Sequence, residues 1–183
     1  PDGDTWSHLP TPIDASDGQL KAIARAGNTL VAVGSHGLVL TSVDGGLTWT
    51  QQSIPTFDGS DLKQVTYGGD RFLVCLAGSC SVSNDGLTWS APFSTTHDDP
   101  YMVIAYSEAD DIFVGADYNY LYHSTGDVFW NDPPLAHTVQ GPGYELNAEA
   151  LIHDGTRFVM TGDCYTSLEE GGEIWHTYGA IAF

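Results

Sequence analysis

Basic side chains are scarce in this sequence: five Lys and Arg stand against 24 Asp and Glu in 183 residues, a formal net charge of −19. A surface so short of cations cannot neutralise phosphates, which argues against nucleic acid and anionic membrane surfaces as partners. Long apolar runs are missing too. No stretch approaches the ~20 residues of a membrane-spanning helix, so membrane insertion is not expected, and nothing resembles a signal peptide, although a mature chain would have lost one. Cysteine is limited to Cys75, Cys80 and Cys164, too few and wrongly spaced for a zinc ribbon and unable to pair completely within one chain. Helical periodicity is almost absent, since only residues 14–26 could be argued as an amphipathic helix. What is there, 42% apolar and 11% aromatic residues, suffices to fill a core of domain size and argues against disorder.

Glycine is abundant, at 21 residues, and tryptophan recurs at regular places, so a period was sought. Leu20-Lys21-Ala22-Ile23 returns as Leu62-Lys63-Gln64-Val65, Leu30-Val31-Ala32-Val33 as Phe72-Leu73-Val74-Cys75, and Gly46-Leu47-Thr48-Trp49 as Gly86-Leu87-Thr88-Trp89. The spacing is about 40 residues. Weaker copies follow at Met102-Val103-Ile104-Ala105 with Ile112-Phe113-Val114-Gly115, and at Ala148-Glu149-Ala150-Leu151 with Phe158-Val159-Met160-Thr161. Each copy consists of short runs of Val, Ile, Leu, Phe and Tyr separated by Gly, Asp and Asn clusters, the pattern of short antiparallel strands. The match of 20–23 to 62–65 overrides the helical reading of 14–26. Four strands in about 40 residues is the signature of a β-propeller blade. The expected organisation is therefore all-β: residues 1–13 a fourth strand of a preceding or closing blade, 14–55 blade 1, 56–95 blade 2, 96–135 blade 3 and 136–183 blade 4. About four repeats are visible, either a closed four-bladed ring or part of a larger one.

Between the third and fourth strand of the first copy stands Ser42-Val43-Asp44-Gly45-Gly46-Leu47-Thr48-Trp49, and the second copy has Ser83-Asn84-Asp85-Gly86-Leu87-Thr88-Trp89. Both resemble the Asp-box of sialidase-type and BNR-repeat propellers. Asp2-Gly3-Asp4-Thr5-Trp6 matches the latter half of another box, while Ser124-Thr125-Gly126-Asp127 and Thr177-Tyr178-Gly179 are decayed forms. Residues 174–183 accordingly read as a third strand, a turn and the start of a fourth. The residue types suit a turn: Asp accepts from backbone N–H groups, Gly takes positive φ and Trp packs between sheets. Ser42, Asp44, Gly46, Thr48, Trp49, Ser83, Asp85, Gly86, Thr88 and Trp89 are thus read as structural. The resemblance implies an enzyme only if the three arginines of a sialidase converge on a carboxylate. Arg25, Arg71 and Arg157 occupy equivalent first turns of separate repeats, which speaks against it. The chain looks nearer to non-catalytic photosystem II assembly factor-like and secreted BNR-repeat proteins, although it departs from the assembly factors in lacking their basic patch.

Cys75 and Cys80 flank Leu76 to Ser79. If those residues form a hairpin loop, the two cysteines face each other at a separation that permits a bridge; otherwise all three cysteines are small apolar residues in a reducing compartment. The family bias toward export favours the bridge, with Cys164 unpaired.

Successive turns of an up-and-down blade alternate between the two faces of a ring, and the longer loops collect opposite the boxes. That loop-rich face supplies the candidate binding residues: His36, Asp58, Asp61, Asp98, Asp99, Tyr118, Tyr144, Tyr165, Glu169 and Glu170. Each has a plainer reading as a solvated acid, a blade-packing tyrosine or a loop anchor. No cofactor is required; calcium, if used, would fall to Asp98, Asp99, Glu169 and Glu170. The expected function is a non-catalytic extracellular binding or adhesion propeller whose acidic loop face meets a glycan or a protein surface. The alternatives are a structural assembly module of an extracellular or virion appendage, partnered by further copies of itself, and a fragment of a glycoside hydrolase.

Overall fold

The computed structural model describes residues 6–14, 16–76, 78–94, 103–116, 121–125, 129–130, 144–167 and 173–182. Runs of four to seven β-branched and aromatic residues, cut by Gly-Asp and Gly-Asn turns, are too short for helices and fold as antiparallel sheets. Sheet 1 contains β1 (Leu20–Ala26), β2 (Thr29–Gly34), β3 (Val39–Ser42) and β4 (Thr50–Gln52), paired in chain order. Sheet 2 repeats the pattern with β5 (Val65–Gly68), β6 (Arg71–Leu76), β7 (Ser79–Ser83) and β8 (Phe93–Ser94), and sheet 3 with β9 (Val103–Ser107), β10 (Ile112–Ala116), β11 (Leu121–Thr125) and β12 (Phe129–Trp130). Sheet 4 has three longer strands, β13 (Tyr144–His153), β14 (Phe158–Ser167) and β15 (Glu173–Ala182).

Strand alternation sends successive side chains to opposite sides of a sheet, and here both sides are used. Val31, Val33 and Val39 of sheet 1 meet Val65, Phe72 and Val74 of sheet 2, closed above by Ile54, Phe57 and Leu62. The other side of sheet 2, with Leu73 and Cys80, meets Ile104, Phe113 and Tyr122. Ala105, Val114 and Ala116 of sheet 3 then meet Ala148, Leu151, Phe158 and Met160. Burying a Val, Leu or Phe side chain in this way stabilises by about 1.5–3 kcal/mol before entropy is counted. First strands pack in sequence, β1 on β5, β5 on β9 and β9 on β13, and no comparable packing joins β13 back to β1 among the described residues. The sheets form an arc of propeller blades.

Several features differ from the sequence reading. Residues 6–14, expected to include the end of a leading strand, join no sheet; Pro10 and Pro12 remove ladder donors there, and Ile13 instead packs with Trp49 on Ala32, Leu38 and Leu40. The expected turn at His176-Thr177-Tyr178-Gly179 lies inside β15, paired continuously with β14 apart from one register shift. That copy of the box has lost the acid that would close the turn, so the backbone stays extended.

The hairpin after β6 is tighter than a four-residue loop, because β6 runs to Leu76 and β7 begins at Ser79. Cys75 lies opposite Cys80 in the ladder and the two are joined by a disulfide, with Cα atoms 4.1 Å apart. Closing so short a loop restrains the unfolded chain modestly, so Cys75→Ser with Cys80→Ser should cost about 2 kcal/mol. Urea melts check this; an unchanged midpoint would refute it.

Candidate functional site

The two box-like turns spend their polar groups on themselves. Asp44 accepts the Thr48 backbone N–H at 2.9 Å, the Thr48 hydroxyl at 2.6 Å and the Ser42 hydroxyl at 2.8 Å, while Gly46 N–H donates to Ser42 Oγ at 2.9 Å. These donors, the Thr48 hydroxyl foremost, hold the Asp44 carboxyl down at about 2. Asp85 accepts from the backbone N–H groups of Thr88 and Leu87 at 2.7 and 2.8 Å and from the Ser83 hydroxyl, and is likewise lowered. Trp49 donates from Nε1 to Gly46 O, folding the indole back on the turn.

On the loop-rich face the chain brings His36, Asp58 and Asp61 to one neighbourhood. Gly37 N–H donates to Ser60 O at 2.6 Å, which ties the Ser35–Gly37 turn to the segment carrying both acids. Asp61 pairs with Lys21 at 2.9 Å; that bond, reinforced by the backbone N–H of His36, lowers its carboxyl pKa. Asp58 accepts the Ser53 hydroxyl at 2.9 Å. Tyr144 and Tyr165, expected in loops, are backbone-paired strand residues of β13 and β14, opposite Thr166 and Glu145. The alternating stretches Tyr144-Glu145-Leu146-Asn147 and Cys164-Tyr165-Thr166 prolong the hairpin at the expense of the loops. Asp98, Asp99, Tyr118, Glu169 and Glu170 lie outside the described residues. Among the described residues no group of three His, Cys, Asp or Glu is placed to hold a metal ion.

A concavity lies at the opposite end, on the side of the box turns. A groove of about 930 Å³ is lined by Tyr67 to Arg71, Tyr106, Glu108, Ala109, Asp111, His153 and Gly155. It is built from the first turn of sheets 2, 3 and 4, three segments a repeat apart in sequence that adjoin only because the sheets stack. Asp70 and Asp111 each occupy left-handed backbone, with φ of 57° and 54°, immediately before the second strand of their blade, a conformation that Asp adopts more readily than most residues. Tyr106 lies flat on Gly68, leaving no space for a Cβ there. Its hydroxyl donates to Asp111 Oδ1 at 2.6 Å. That bond to a carboxylate, with some burial, pushes the phenol up to about 12. Arg71 Nη2, Tyr106 Oη and Asp111 Oδ1 all come within 3.5 Å of the point where a side chain on Gly69 would begin, so the floor of the groove is bare backbone ringed by polar atoms. His153 forms the far wall, its ring 4.8 Å from that of Phe158.

Reasoning from sequence alone passed over Asp70, Tyr106, Glu108, Asp111 and His153. Loop length drew attention to the other face, yet one signal was available: Gly69-Asp70 and Asp110-Asp111 fall at the same point of successive repeats. The three arginines do not converge. Arg25 donates to Gly27 O at 2.7 Å and Arg157 pairs with Asp154 at 3.2 Å, each within its own turn.

Neither a protein-family model nor a curated protein matches the chain. Solved structures do. YCF48 bound to D1 peptide aligns with a TM-score of 0.62 and 17% identity over 95% of this chain and 57% of that one. The GH74 xyloglucanase of Xanthomonas campestris aligns with a TM-score of 0.58 and 15% identity over 88% of this chain and 31% of its own. The computationally designed Ika4 protein aligns with a TM-score of 0.56 and 12% identity, covering 96% of this chain and 99% of that one. The chain thus spans less than two thirds of YCF48 and nearly all of Ika4. At these identities the likeness is one of fold, and the fold is that of the β-propellers.

Proposed function

We propose that this chain is a non-catalytic binding propeller working outside the cytosol, and that it holds a cationic segment of another protein in the groove across sheets 2, 3 and 4. One observation carries the reading: the groove sets Asp70, Glu108 and Asp111 against the single Arg71, on a chain whose net charge is −19. A concave wall focuses such a field on an incoming cation, and Tyr67 and His153 offer ring surface to the stem or guanidinium of Lys or Arg. YCF48, of similar fold, is a propeller structure with a peptide bound. The Cys75–Cys80 disulfide supports an oxidising compartment. With Arg25 and Arg157 tied into their own turns, the clamp a sialidase needs is not assembled.

Fluorescence anisotropy with an extended Lys/Arg-rich peptide, its Glu-substituted counterpart and a neutral oligosaccharide tests the proposal. The basic peptide should bind and weaken at least ~10-fold in Asp70→Asn with Glu108→Gln, since removing charged partners costs about 1.5–3 kcal/mol per lost bond. The melting temperature should stay near that of the parent. Binding of the oligosaccharide in preference to the peptide would overturn the choice of partner.

A further inference from the structure

Sheets 2, 3 and 4 carry a ring at one and the same place. Tyr67, Tyr106 and His153 are each the first-strand residue that stands opposite a phenylalanine of the second strand, Phe72, Phe113 and Phe158 in turn. The ring pairs are alike, with centroids 4.9, 4.8 and 4.8 Å apart. All three first-strand rings are half-buried and line the groove. Sheet 1 breaks the series, because its residue at this place is Arg25, opposite Leu30 and donating from Nε to Gly27 O. The rings therefore recur along the groove at the interval of the stack, about 10 Å for sheets packed face to face.

Acid does not recur with them. Sheet 2 lines the groove with Asp70 and sheet 3 with Glu108 and Asp111, and neither Asp70 nor Glu108 has a hydrogen bond among the described residues. Sheet 4 contributes His153 and Gly155, while the acid of its turn, Asp154, is spent on the Thr156 hydroxyl at 2.7 Å and on Arg157. The groove thus offers three ring positions and unspent acid at two.

We infer that its occupant is a polyproline-II segment, one turn to each sheet, with two basic residues three places apart over sheets 2 and 3 and an uncharged residue, such as proline, over sheet 4. This rests on the reading of the groove as a site for a cationic segment and adds the conformation and spacing of that segment. A polyproline-II chain rises 3.1 Å per residue with three residues per turn, so the same side returns about every 9 Å, close to the interval of the stack. A β-strand returns about every 7 Å and falls out of step. The groove crosses the turns of three sheets and does not run along any one strand, so a strand would find no ladder to join. A helix presents the same side after two turns, at about 11 Å, but a length crossing two junctions would sweep roughly 1,600 Å³, against about 930 Å³ in the groove. Aromatic-lined grooves are also the surfaces on which polyproline-II segments dock, since little ordering entropy is left to lose.

Isothermal titration with proline-rich peptides of equal composition tests the spacing. A peptide with arginines at i and i+3 should bind at least ~10-fold tighter than those with arginines at i and i+2 or i and i+4, and than an alanine-rich helical peptide with arginines at i and i+7, because a misplaced cation forfeits its carboxylate. A third arginine at i+6 should gain little in the parent and at least ~10-fold in His153→Glu, which sets a carboxylate at the third ring; a variant that had failed to fold could not show such a gain. Equal affinity at all spacings, preference for the i+2 or the helical peptide, or a comparable gain from the third arginine in the parent would overturn the inference and leave the groove a cation site. Failure of every arginine peptide to bind would overturn both.

Discussion

Gly68→Ala is expected to lower the melting temperature and abolish binding in the groove together. Gly68 ends β5 and is buried, and the added methyl collides with the Tyr106 ring, at Cγ and Cδ1, not at a movable tip. The ring cannot yield freely, because its hydroxyl is held by Asp111 and its face lies 4.8 Å from Phe113. Overpacking of this kind costs about 1–3 kcal/mol, and displacing Tyr106 removes one wall of the site. Because a collision is the cause, the double variant with Tyr106→Ala should be no less stable than Tyr106→Ala alone, a large departure from additivity. Additive losses in thermal melts, or a Gly68→Ala protein that melts like the parent, would show that the two sheets do not meet there as described.

Acid should act on stability in two opposed stages. Protonating carboxyls relieves the self-repulsion of a −19 chain, so melting temperature should rise as pH falls from neutral toward about 4.5. Asp44, Asp85 and Asp154 behave differently. Their folded pKa values are depressed, by the Thr48 hydroxyl at Asp44, by the Thr88 and Leu87 N–H groups at Asp85, and by the Thr156 hydroxyl at Asp154. A carboxyl lowered in the folded state contributes stability that is whole above its unfolded pKa and lost as pH falls through its folded one. The loss should therefore begin below about pH 4 and, for Asp44, run to about 2. All three groups are at turn surfaces, so solvent screens each contribution. Calorimetry across this range should show a maximum followed by a decline, with the decline shallower in Asp44→Asn with Asp85→Asn. Parallel declines in variant and parent would mean that the boxes do not stabilise through their carboxylates.

The blade rhythm was legible because it is carried locally. Repeated Val-Ile-Leu runs dictate strands, and Ser-x-Asp-Gly sequences close their own turns through bonds spanning two to four residues. The fourth sheet was misread where the local signal had decayed: without an Asp or a second Gly, the stretch at 176–179 has nothing to turn it, and β-propensity carries it on as strand through a single register shift. The groove was the least legible part. Its walls come from Gly69, Glu108 and His153, which no local pattern unites, and their closeness follows from the stacking of sheets. Loop length is a fair guide to where binding residues concentrate, but it points to the face with more chain, and this groove is on the other.

Because each sheet packs on its neighbours in the chain among the described residues, the arc behaves as a one-dimensional row whose stability is a sum over sheets and junctions. The junctions are unequal. Among the described residues the first is sealed by Phe57, Phe72, Ile54 and Leu62 together with five valines, whereas the last brings Ala105, Val114, Ala116 and Ala148 against Leu151, Phe158 and Met160. Smaller side chains remove less apolar area from water, so the row has a strong end and a weak end, and opening from the weak end leaves sheets 1 and 2 joined as the last cooperative unit. A partner seated across sheets 2, 3 and 4 would span the weak junction and act as a splint.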